Sequence, residues 1–447
     1  MAVLDTSIAN VALPTLSREL HADVASTIWV VNAYQVAVTM LLLPLSSLGD
    51  VLGYRRVYAT GLAVFTVGSL GCALSSTLLG LVLFRVLQGA GAAALMSIAP
   101  ALNRTIFPAR MLGVAVGISA LTVASSAAAG PTIGGAILAI APWPWLFAVN
   151  VPLGIFATAF VRRALPADRG RGGTIDIPSA LMSGPALALL IVGLDGFARR
   201  VAPPSIAAML GGSAILTFAF VRRQRVLPVP MLPLELFGIR RFSFAVVTSL
   251  CSFTAQGIAF VALPFLLQGS YGYSAFASGL LFTPWPLAIA VVAPLAGRLA
   301  DRMSPARLST AGLTVLALGL ACLAALPAHP APADIVWRGI VCGLGFGFFQ
   351  APNNREILGS APRSRSASAA GVLATARLTG QSLGAAAVAI VLGTSVAAHA
   401  TSAGMAAALA RPAHGALWLS ALVAAGAGAV SALRLTPLLT PASPPQT

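Results

Sequence analysis

The chain has 447 residues, of which 58% are hydrophobic and 9% charged, and its formal net charge is +16. Soluble domains are about 25% charged, so this composition excludes a water-soluble globular fold and indicates that lipid surrounds most of the chain. All 27 basic residues are arginine, and they lie in short clusters between apolar runs. That distribution follows membrane topology and does not indicate nucleic-acid binding. The four cysteines lie in apolar runs without metal-binding spacing, so no metal site is predicted.

Apolar runs long enough to cross a bilayer recur along the chain, and in lipid only helices or closed barrels satisfy every backbone polar group. The runs are too long for barrel strands, so the chain is predicted to be an all-α integral membrane protein. Its fourteen transmembrane helices are predicted at 1–17, 27–48, 56–75, 78–101, 112–140, 143–161, 176–195, 203–221, 242–267, 276–297, 307–327, 334–353, 369–395 and 414–434. The first run would span roughly 25 Å, less than the ~30 Å hydrocarbon core. We therefore expect either a short, truncated first helix or a natural start upstream of residue 1.

Arginine is concentrated in one set of alternate connections between these helices, as at Arg55 and Arg162. The positive-inside rule places that set in the cytoplasm, and an even number of helices then places both termini there. The pair Arg199 and Arg200 runs against the trend. The pattern predicts a multi-pass protein of the cell (plasma) membrane.

An internal repeat divides the chain. "LGDVLGYRR" at 48–56 resembles "LADRMSPAR" at 299–307, and "FRVLQGAG" at 84–91 parallels "WRGIVCGLG" at 337–345. We therefore predict an N-terminal six-helix half at 1–161, a two-helix insert at 162–225 and a C-terminal six-helix half at 226–447. Parallel repeats around a site at the middle of the membrane are a transporter architecture.

Two motifs place polar or charged side chains inside apolar runs of the N-terminal half. "LDTSIANVALP" at 4–14 contains Asp5 and Asn10, and "RVLQGAGAA" at 85–93 contains Arg85 and Gln88. Intramembrane ionisable groups commonly form proton relays, so Asp5 is a candidate proton carrier. The alternatives are an Asp5 at a helix end wetted by the cytoplasm and an Arg85 that extends to the membrane edge.

In the second half, Arg377 and Gln381 lie one helical turn apart inside an apolar run. Such a pair either lines a central cavity or satisfies itself at a contact between helices. Both interpretations remain open at this point.

The 48–56 segment is a candidate cytoplasmic gate. Gly53 permits a tight turn, and Asp50 can pair with an arginine or with the N-terminus of a neighbouring helix. The other candidate gate residues are the adjacent arginines and the equivalents in the second half: Arg55, Arg56, Asp301 and Arg307. The alternative is a positively charged loop with a turn and no gating role.

The segment "AAAGPTIGGA" at 127–136 combines small residues with a proline inside an apolar run. Its members Gly130, Pro131, Gly134 and Gly135 let another helix approach closely and bend the helix that contains them. The local pattern alone supports tight helix packing and nothing more.

Together these motifs resemble the major facilitator superfamily, in its fourteen-span drug:proton antiporter branch (EmrB/QacA type), along essentially the whole chain. The resemblance implies the major facilitator fold, a part in proton coupling for Asp5 and Arg85, and an antiporter signature at "GPTIGG". Ser46 and Val51 depart from the usual Gly and Arg of the gate motif, and Pro144 replaces an Arg common in the branch.

The expected function is proton-coupled export of lipophilic drugs, antibiotics or related metabolites by alternating access. The expected partners are a small lipophilic substrate, protons and the bilayer, with no nucleic acid, no cofactor and a functional monomer. No GxxxxGK[ST] phosphate loop occurs in the sequence, so ATP-driven transport is not expected. The alternative is a facilitator or importer of a small metabolite on the same scaffold. A membrane sensor would carry an added soluble domain, and no pattern of an enzyme is visible.

Overall fold

The computed structural model of the protein describes residues 1–108, 111–165, 176–199, 201–227, 230, 232, 234–362, 365–396 and 405–435. Within these ranges the regular structure is entirely helical. The α-helices are α1 (Ala2–Glu19), α2 (Val24–Leu52), α3 (Tyr54–Leu74), α4 (Leu78–Ile106), α5 (Leu112–Ile140), α6 (Trp145–Ala148), α7 (Asn150–Ala164), α8 (Ile177–Ala198), α9 (Pro203–Gln224), α10 (Arg240–Pro264), α11 (Ala275–Phe282), α12 (Pro284–Leu299), α13 (Pro305–Ala324), α14 (Pro332–Ser360), α15 (Ser366–Val396) and α16 (Met405–Ala432). A 3₁₀ turn covers Leu234–Gly238, and a π-helical segment covers Phe265–Ser270.

Among the described residues, 13 helical spans are long and apolar enough to cross a membrane. They correspond to the predicted helices after the first, which confirms the all-α membrane fold. The predicted first helix is α1, which differs because its 18 residues include the charged Asp5, Arg18 and Glu19. It nevertheless packs among the other helices, against α5 and α2.

Two predicted helices are interrupted. The run at 143–161 forms α6 and α7, and the run at 276–297 forms α11 and α12. Proline explains both breaks, because its nitrogen cannot donate to the carbonyl four residues earlier. Pro152 removes the bond to Ala148, the last residue of α6, and Pro284 begins α12 directly.

Polar caps fix where several of the helices begin. Asp23 accepts a hydrogen bond from the Ser26 backbone N–H at 2.8 Å before α2, and Thr77 accepts one from the Gly80 N–H at 3.2 Å before α4. Ser274 does the same for α11. Each cap satisfies a donor that has no partner inside the helix, so it sets the register of the residues that follow.

The helices form two groups joined by a hairpin. Within the N-terminal half (α1–α7), α2 and α3 pack on α4, and within the C-terminal half (α10–α16), α13 packs on α14. Helices α8 and α9 pack on each other, and α8 also contacts α2 and α15. The two halves meet where α2 contacts α15 and where α5 contacts α11 and α12. The predicted boundaries at 161/162 and 225/226 stay predictions.

Glycines bring α4 close to its neighbours. A Cβ at Gly91 would lie 2.4 Å from the backbone nitrogen of Phe65 in α3, and one at Gly89 would lie 2.6 Å from the carbonyl oxygen of Tyr34 in α2. No side chain fits at either position without moving a neighbouring backbone. This close approach sets the position of Arg85, one to two turns earlier in α4.

We expect Gly91→Ala to lower the melting temperature of the purified protein by several degrees, because overpacking costs about 1–3 kcal/mol. Gly211→Ala is the matched control, since a Cβ at this helical glycine in α9 has no neighbouring atom within 4 Å. That control should leave the melting temperature unchanged or raise it. The measurement is thermal unfolding in detergent followed by size-exclusion chromatography. Equal melting temperatures for the two variants would contradict the close packing of α4 on α3.

Candidate transport site

The acidic residue of α1 and the arginine of α4 form an ion pair inside the protein. Asp5 is 1% exposed and Arg85 is 0% exposed, and an Nη1–H of Arg85 donates to Oδ2 of Asp5. Arg85 Nε also donates to the carbonyl oxygen of Val30 at 2.8 Å. The guanidinium carbon lies 4.2 Å from the ring centroid of Tyr34, a cation–π contact. Asp5 is therefore not a wetted helix end, and Arg85 does not extend to the membrane edge.

Three uncharged side chains complete this arrangement. Gln88 Nε2 donates to Oδ1 of Asp5 at 2.9 Å and to Oγ of Ser69 at 2.8 Å, and Asn150 Nδ2 donates to Oδ1 of Asp5 at 2.8 Å. We call Asp5, Ser69, Arg85, Gln88 and Asn150 the Asp5 network. Its members come from α1, α3, α4 and α7: Asp5 bonds residues of α4 and α7, and Gln88 connects them to Ser69 of α3.

Both carboxylate oxygens of Asp5 have charged or amide donors, which is the condition under which a buried anion is tolerated. Arg85 Nη2, by contrast, is buried and has no hydrogen-bond partner among the described residues. A proton added to Asp5 would neutralise the carboxylate and leave the Arg85 guanidinium without its counter-charge. The pair thus balances a charge of α1 with a charge of α4.

Two of the five network members were not predicted from the sequence. Asn150 lies in α7, within the sequence "PWLFAVNVPLG" at 144–154, and Ser69 lies in α3; both are buried, at 1% and 0% exposure. An asparagine in an apolar span is a usable signal, because an amide in lipid needs a partner. A serine in a helix carries no comparable signal, since its hydroxyl can bond its own backbone, as Ser69 also does to Phe65 at 2.8 Å.

The candidate gate residues lie at helix ends. Gly53, with a φ of 96°, is the junction between α2 and α3, which confirms the tight turn. Asp50 accepts a hydrogen bond from the hydroxyl of Tyr54 at 2.5 Å. Tyr54 is the first residue of α3, and the predicted pairing of Asp50 with an arginine or with the N-terminus of a neighbouring helix stays a prediction. Arg55 donates to the carbonyl oxygen of Arg162 at the end of α7.

In the second half, Asp301 forms an ion pair with Arg355 of α14. The two side chains are 62% and 50% exposed, so this pair lies at the protein surface. Arg56 and Arg307 are also exposed. A gating role for these residues stays a prediction.

The glycine-proline segment of α5 forms close contacts on two sides. A Cβ at Gly130 would lie 2.3 Å from the Cβ of Ser7 in α1, and one at Gly134 would lie 3.3 Å from the Cα of Ile8. On the other side, a Cβ at Gly135 would lie 2.6 Å from the carbonyl oxygen of Ala275 in α11. The predicted close helix packing is therefore present.

Residues of the C-terminal half also pack closely against the glycine-proline segment of α5. A Cβ at Gly279 would lie 2.2 Å from the carbonyl oxygen of Pro131, and the hydroxyls of Thr132 and Thr283 lie 2.6 Å apart. Helix α5 thus touches α1 within its own half and α11 across the boundary. Any movement between the halves must change these contacts.

The remaining candidates lie on α1 and α15. Asn10 is 7% exposed, and its Oδ1 has no hydrogen-bond partner among the described residues. Arg377 and Gln381 of α15 are partly buried. The structure places them one turn apart, without a hydrogen bond between their side chains in the part of the chain it describes.

Comparison with known proteins decides the family. The model of the Major Facilitator Superfamily matches residues 1–385. The chain belongs to this superfamily. A solved structure, a bacterial homologue of the human lysosomal transporter Spinster in an inward-facing and unoccupied conformation, shares the fold with a TM-score of 0.71 at 13% identity, covering 97% of this chain and 93% of that one.

Three curated relatives are informative. The chain is 54% identical over 387 residues to the uncharacterized transporter YebQ of Escherichia coli strain K12, covering 86% of this chain and 85% of YebQ. It is 31% identical to the riboflavin transporter RibZ of Clostridioides difficile strain 630, covering 86% and 84%. It is 30% identical to the multidrug resistance protein Stp of Mycobacterium tuberculosis strain CDC 1551, covering 86% and 72%. This major facilitator protein is thus a multi-pass membrane transporter of small substrates.

We expect Arg85→Gln to destabilise the protein by about 3–5 kcal/mol, because it leaves the Asp5 carboxylate buried without its counter-charge. The double variant Asp5→Asn with Arg85→Gln should recover most of that loss. Thermal unfolding in detergent measures both variants. Arg355→Gln is the control, since its exposed ion pair with Asp301 contributes less than about 1 kcal/mol. A double variant no more stable than Arg85→Gln alone would contradict the pairing of Asp5 with Arg85.

Proposed function

We propose that this protein is a proton-coupled exporter of lipophilic drugs, antibiotics or related metabolites. It belongs, in this proposal, to the fourteen-span drug:proton antiporter branch and functions as a monomer in the plasma membrane with both termini in the cytoplasm. The observation that carries the proposal is the Asp5 network, a carboxylate inside the bundle whose counter-charge comes from a different helix. An intramembrane carboxylate of this kind is a candidate proton carrier.

Protonation of Asp5 is the proposed coupling step. The proton removes the charge that holds Arg85, while the Val30 carbonyl and the Tyr34 ring remain as uncharged partners of the guanidinium. Helices α1 and α4 then lose their strongest mutual attraction. The proton thereby changes the relative stability of two arrangements of the N-terminal half.

The contacts of α1 connect this step to the boundary between the halves. Ser7 and Ile8 follow Asp5 within one turn and pack against Gly130 and Gly134 of α5. The same segment of α5 contacts α11 through Gly135. A shift of α1 is therefore transmitted to the surface along which the halves rock in alternating access.

Relatives support export of drugs and leave a second candidate. The similarity to Stp, a multidrug resistance protein, favours a drug exporter. The similarity to RibZ, a riboflavin transporter, favours a facilitator or importer of a small metabolite instead. The two candidates differ in whether substrate movement requires movement of protons.

The test uses energised everted membrane vesicles and a dye that reports the pH gradient. We expect a panel of lipophilic drugs to collapse the gradient in wild type and Asp5→Asn to abolish that response, because the variant cannot carry a proton at residue 5. Glu235→Gln is the control, since Glu235 belongs to an exposed pair with Arg365 outside the candidate sites, and it should retain the response. Riboflavin equilibration without proton movement, together with no drug response, would overturn the proposal in favour of the facilitator.

A further inference from the structure

One end of the α8–α9 hairpin borders a cavity of about 340 Å³. Sites for small ligands have volumes of about 300–1,000 Å³, so this cavity is large enough for part of an organic molecule. Phe197 and Ala207 are exposed, so the cavity opens at the outer surface of the helix bundle, where acyl chains lie. Its lining consists of glycine and apolar residues: Gly196, Phe197, Val201, Pro203, Ile206, Ala207 and Leu210.

The cavity lies at the end of the hairpin that is packed against both halves. A Cβ at Gly393 of α15 would lie 3.1 Å from the Cβ of Ala25 in α2 and 3.4 Å from the Cβ of Ala198, the last residue of α8. The hairpin end is therefore on the membrane side where α2 begins, which is the outer side in the proposed topology. From Pro203 to Leu210 the cavity extends about 10 Å along α9, at 1.5 Å per residue. It thus runs from this surface of the membrane toward the middle, as an acyl chain does.

A guanidinium lies at the surface end of the cavity. Arg199 belongs to the turn that the Val201 backbone N–H closes by donating to the carbonyl oxygen of Gly196 at 2.9 Å, and both ends of this turn line the cavity. The Arg199 side chain is 43% exposed, and its Nε donates to Oδ2 of Asp195 at 2.6 Å. Within the described part of the chain, its two Nη groups make no hydrogen bond, so they are available to a ligand.

The charge at this end of the hairpin favours an anion. Arg199 and Arg200 contribute two positive charges and Asp195 one negative charge, which leaves a net charge of +1. The two arginines run against the positive-inside distribution, so membrane topology does not explain them. The two Nη groups of a guanidinium can donate parallel hydrogen bonds to a phosphate. A ligand that suits both the charge and the apolar cavity has a phosphate at the membrane surface, a hydrocarbon chain and no ammonium group to cancel the phosphate charge.

We propose that the α8–α9 cavity binds an acyl chain of an anionic glycerophospholipid, phosphatidylglycerol, and that Arg199 binds its phosphate. The apolar lining suits a chain without hydrogen-bonding groups, and the arginine provides the preference for the headgroup. The cavity lies on the two-helix insert, away from the Asp5 network. The proposal therefore does not depend on the proposed transport activity.

The experiment is photo-crosslinking of the full chain in phosphatidylcholine nanodiscs. Two probes, a phosphatidylglycerol and a phosphatidylcholine, carry the same diazirine-labelled acyl chain, and mass spectrometry of peptides locates the labelled residues. Leu79 and Leu83 of α4, which are exposed on the same side of the membrane, serve as the internal reference. At equal low probe concentrations, we expect phosphatidylglycerol to label the 196–210 segment about ten times more than phosphatidylcholine does, as charge-assisted hydrogen bonds require.

Two variants test the two parts of the site. Arg199→Gln should lower the ratio of the two probes to about one without changing the labelling by phosphatidylcholine, which also shows that the variant is folded. Ala207→Phe fills the cavity and should reduce the labelling of the segment by phosphatidylglycerol. The matched controls are Arg222→Gln, at the opposite end of α9, and Ile215→Phe, at an exposed position of α9 outside the cavity. Both controls should keep the tenfold ratio.

Equal labelling by the two probes in wild type would indicate an apolar groove without headgroup recognition and would overturn the proposal. A ratio that Arg199→Gln leaves unchanged would overturn it as well, because the preference would then come from another group. Failure of the proposed function is separate, since the crosslinking requires neither drug nor proton movement. A phosphatidylglycerol preference together with no drug-driven proton movement would refute proton-coupled export and leave the lipid site in place.

Discussion

A charge inside a membrane must be balanced within the protein, and the Asp5–Arg85 pair is where this fold meets that constraint. Neither side chain is tolerated alone at 1% and 0% exposure, so α1 and α4 have to be brought together. Gly89 and Gly91 make this possible by removing side-chain bulk where α4 approaches α2 and α3. Asn150 then joins α7 to the same carboxylate. Much of the arrangement of the N-terminal half follows from satisfying one buried pair.

In the proposed mechanism, the Asp5–Arg85 pair also connects protonation to movement of α1. In this mechanism, protonation of Asp5 removes one of the two charges of the ion pair and so changes the stability of the arrangement that the pair holds. Ser7 and Ile8 carry any displacement of α1 to the glycines of α5, and α5 touches α11 of the other half. One helix, α5, therefore contacts both the helix that carries Asp5 and α11 of the other half. In the proposed mechanism, these contacts let a change of charge at Asp5 change how the two halves pack against each other.

The sequence was sufficient to predict the features that lipid enforces directly. Spanning helices follow from apolar length, and Asp5, Arg85 and Gln88 stand out because polar groups in lipid need partners. The partners themselves could not be predicted, since the pairing of Asp5 with Arg85 spans 80 positions and that with Asn150 spans 145. The helix breaks before Pro284 and at Ala148 could have been predicted from the sequence, because a proline has no backbone N–H to donate to the preceding helical turn.

The most direct test of proton coupling is infrared difference spectroscopy of the purified protein in lipid across a pH titration. The proposed coupling predicts a carboxylic acid C=O band that appears as the pH falls, that is absent in Asp5→Asn, and whose midpoint shifts when a transported drug is added. The reciprocity of linked binding requires that shift if drug and proton binding are coupled. A titrating band that persists in Asp5→Asn, or a midpoint that no transported drug changes, would contradict the role of Asp5 as the coupling group.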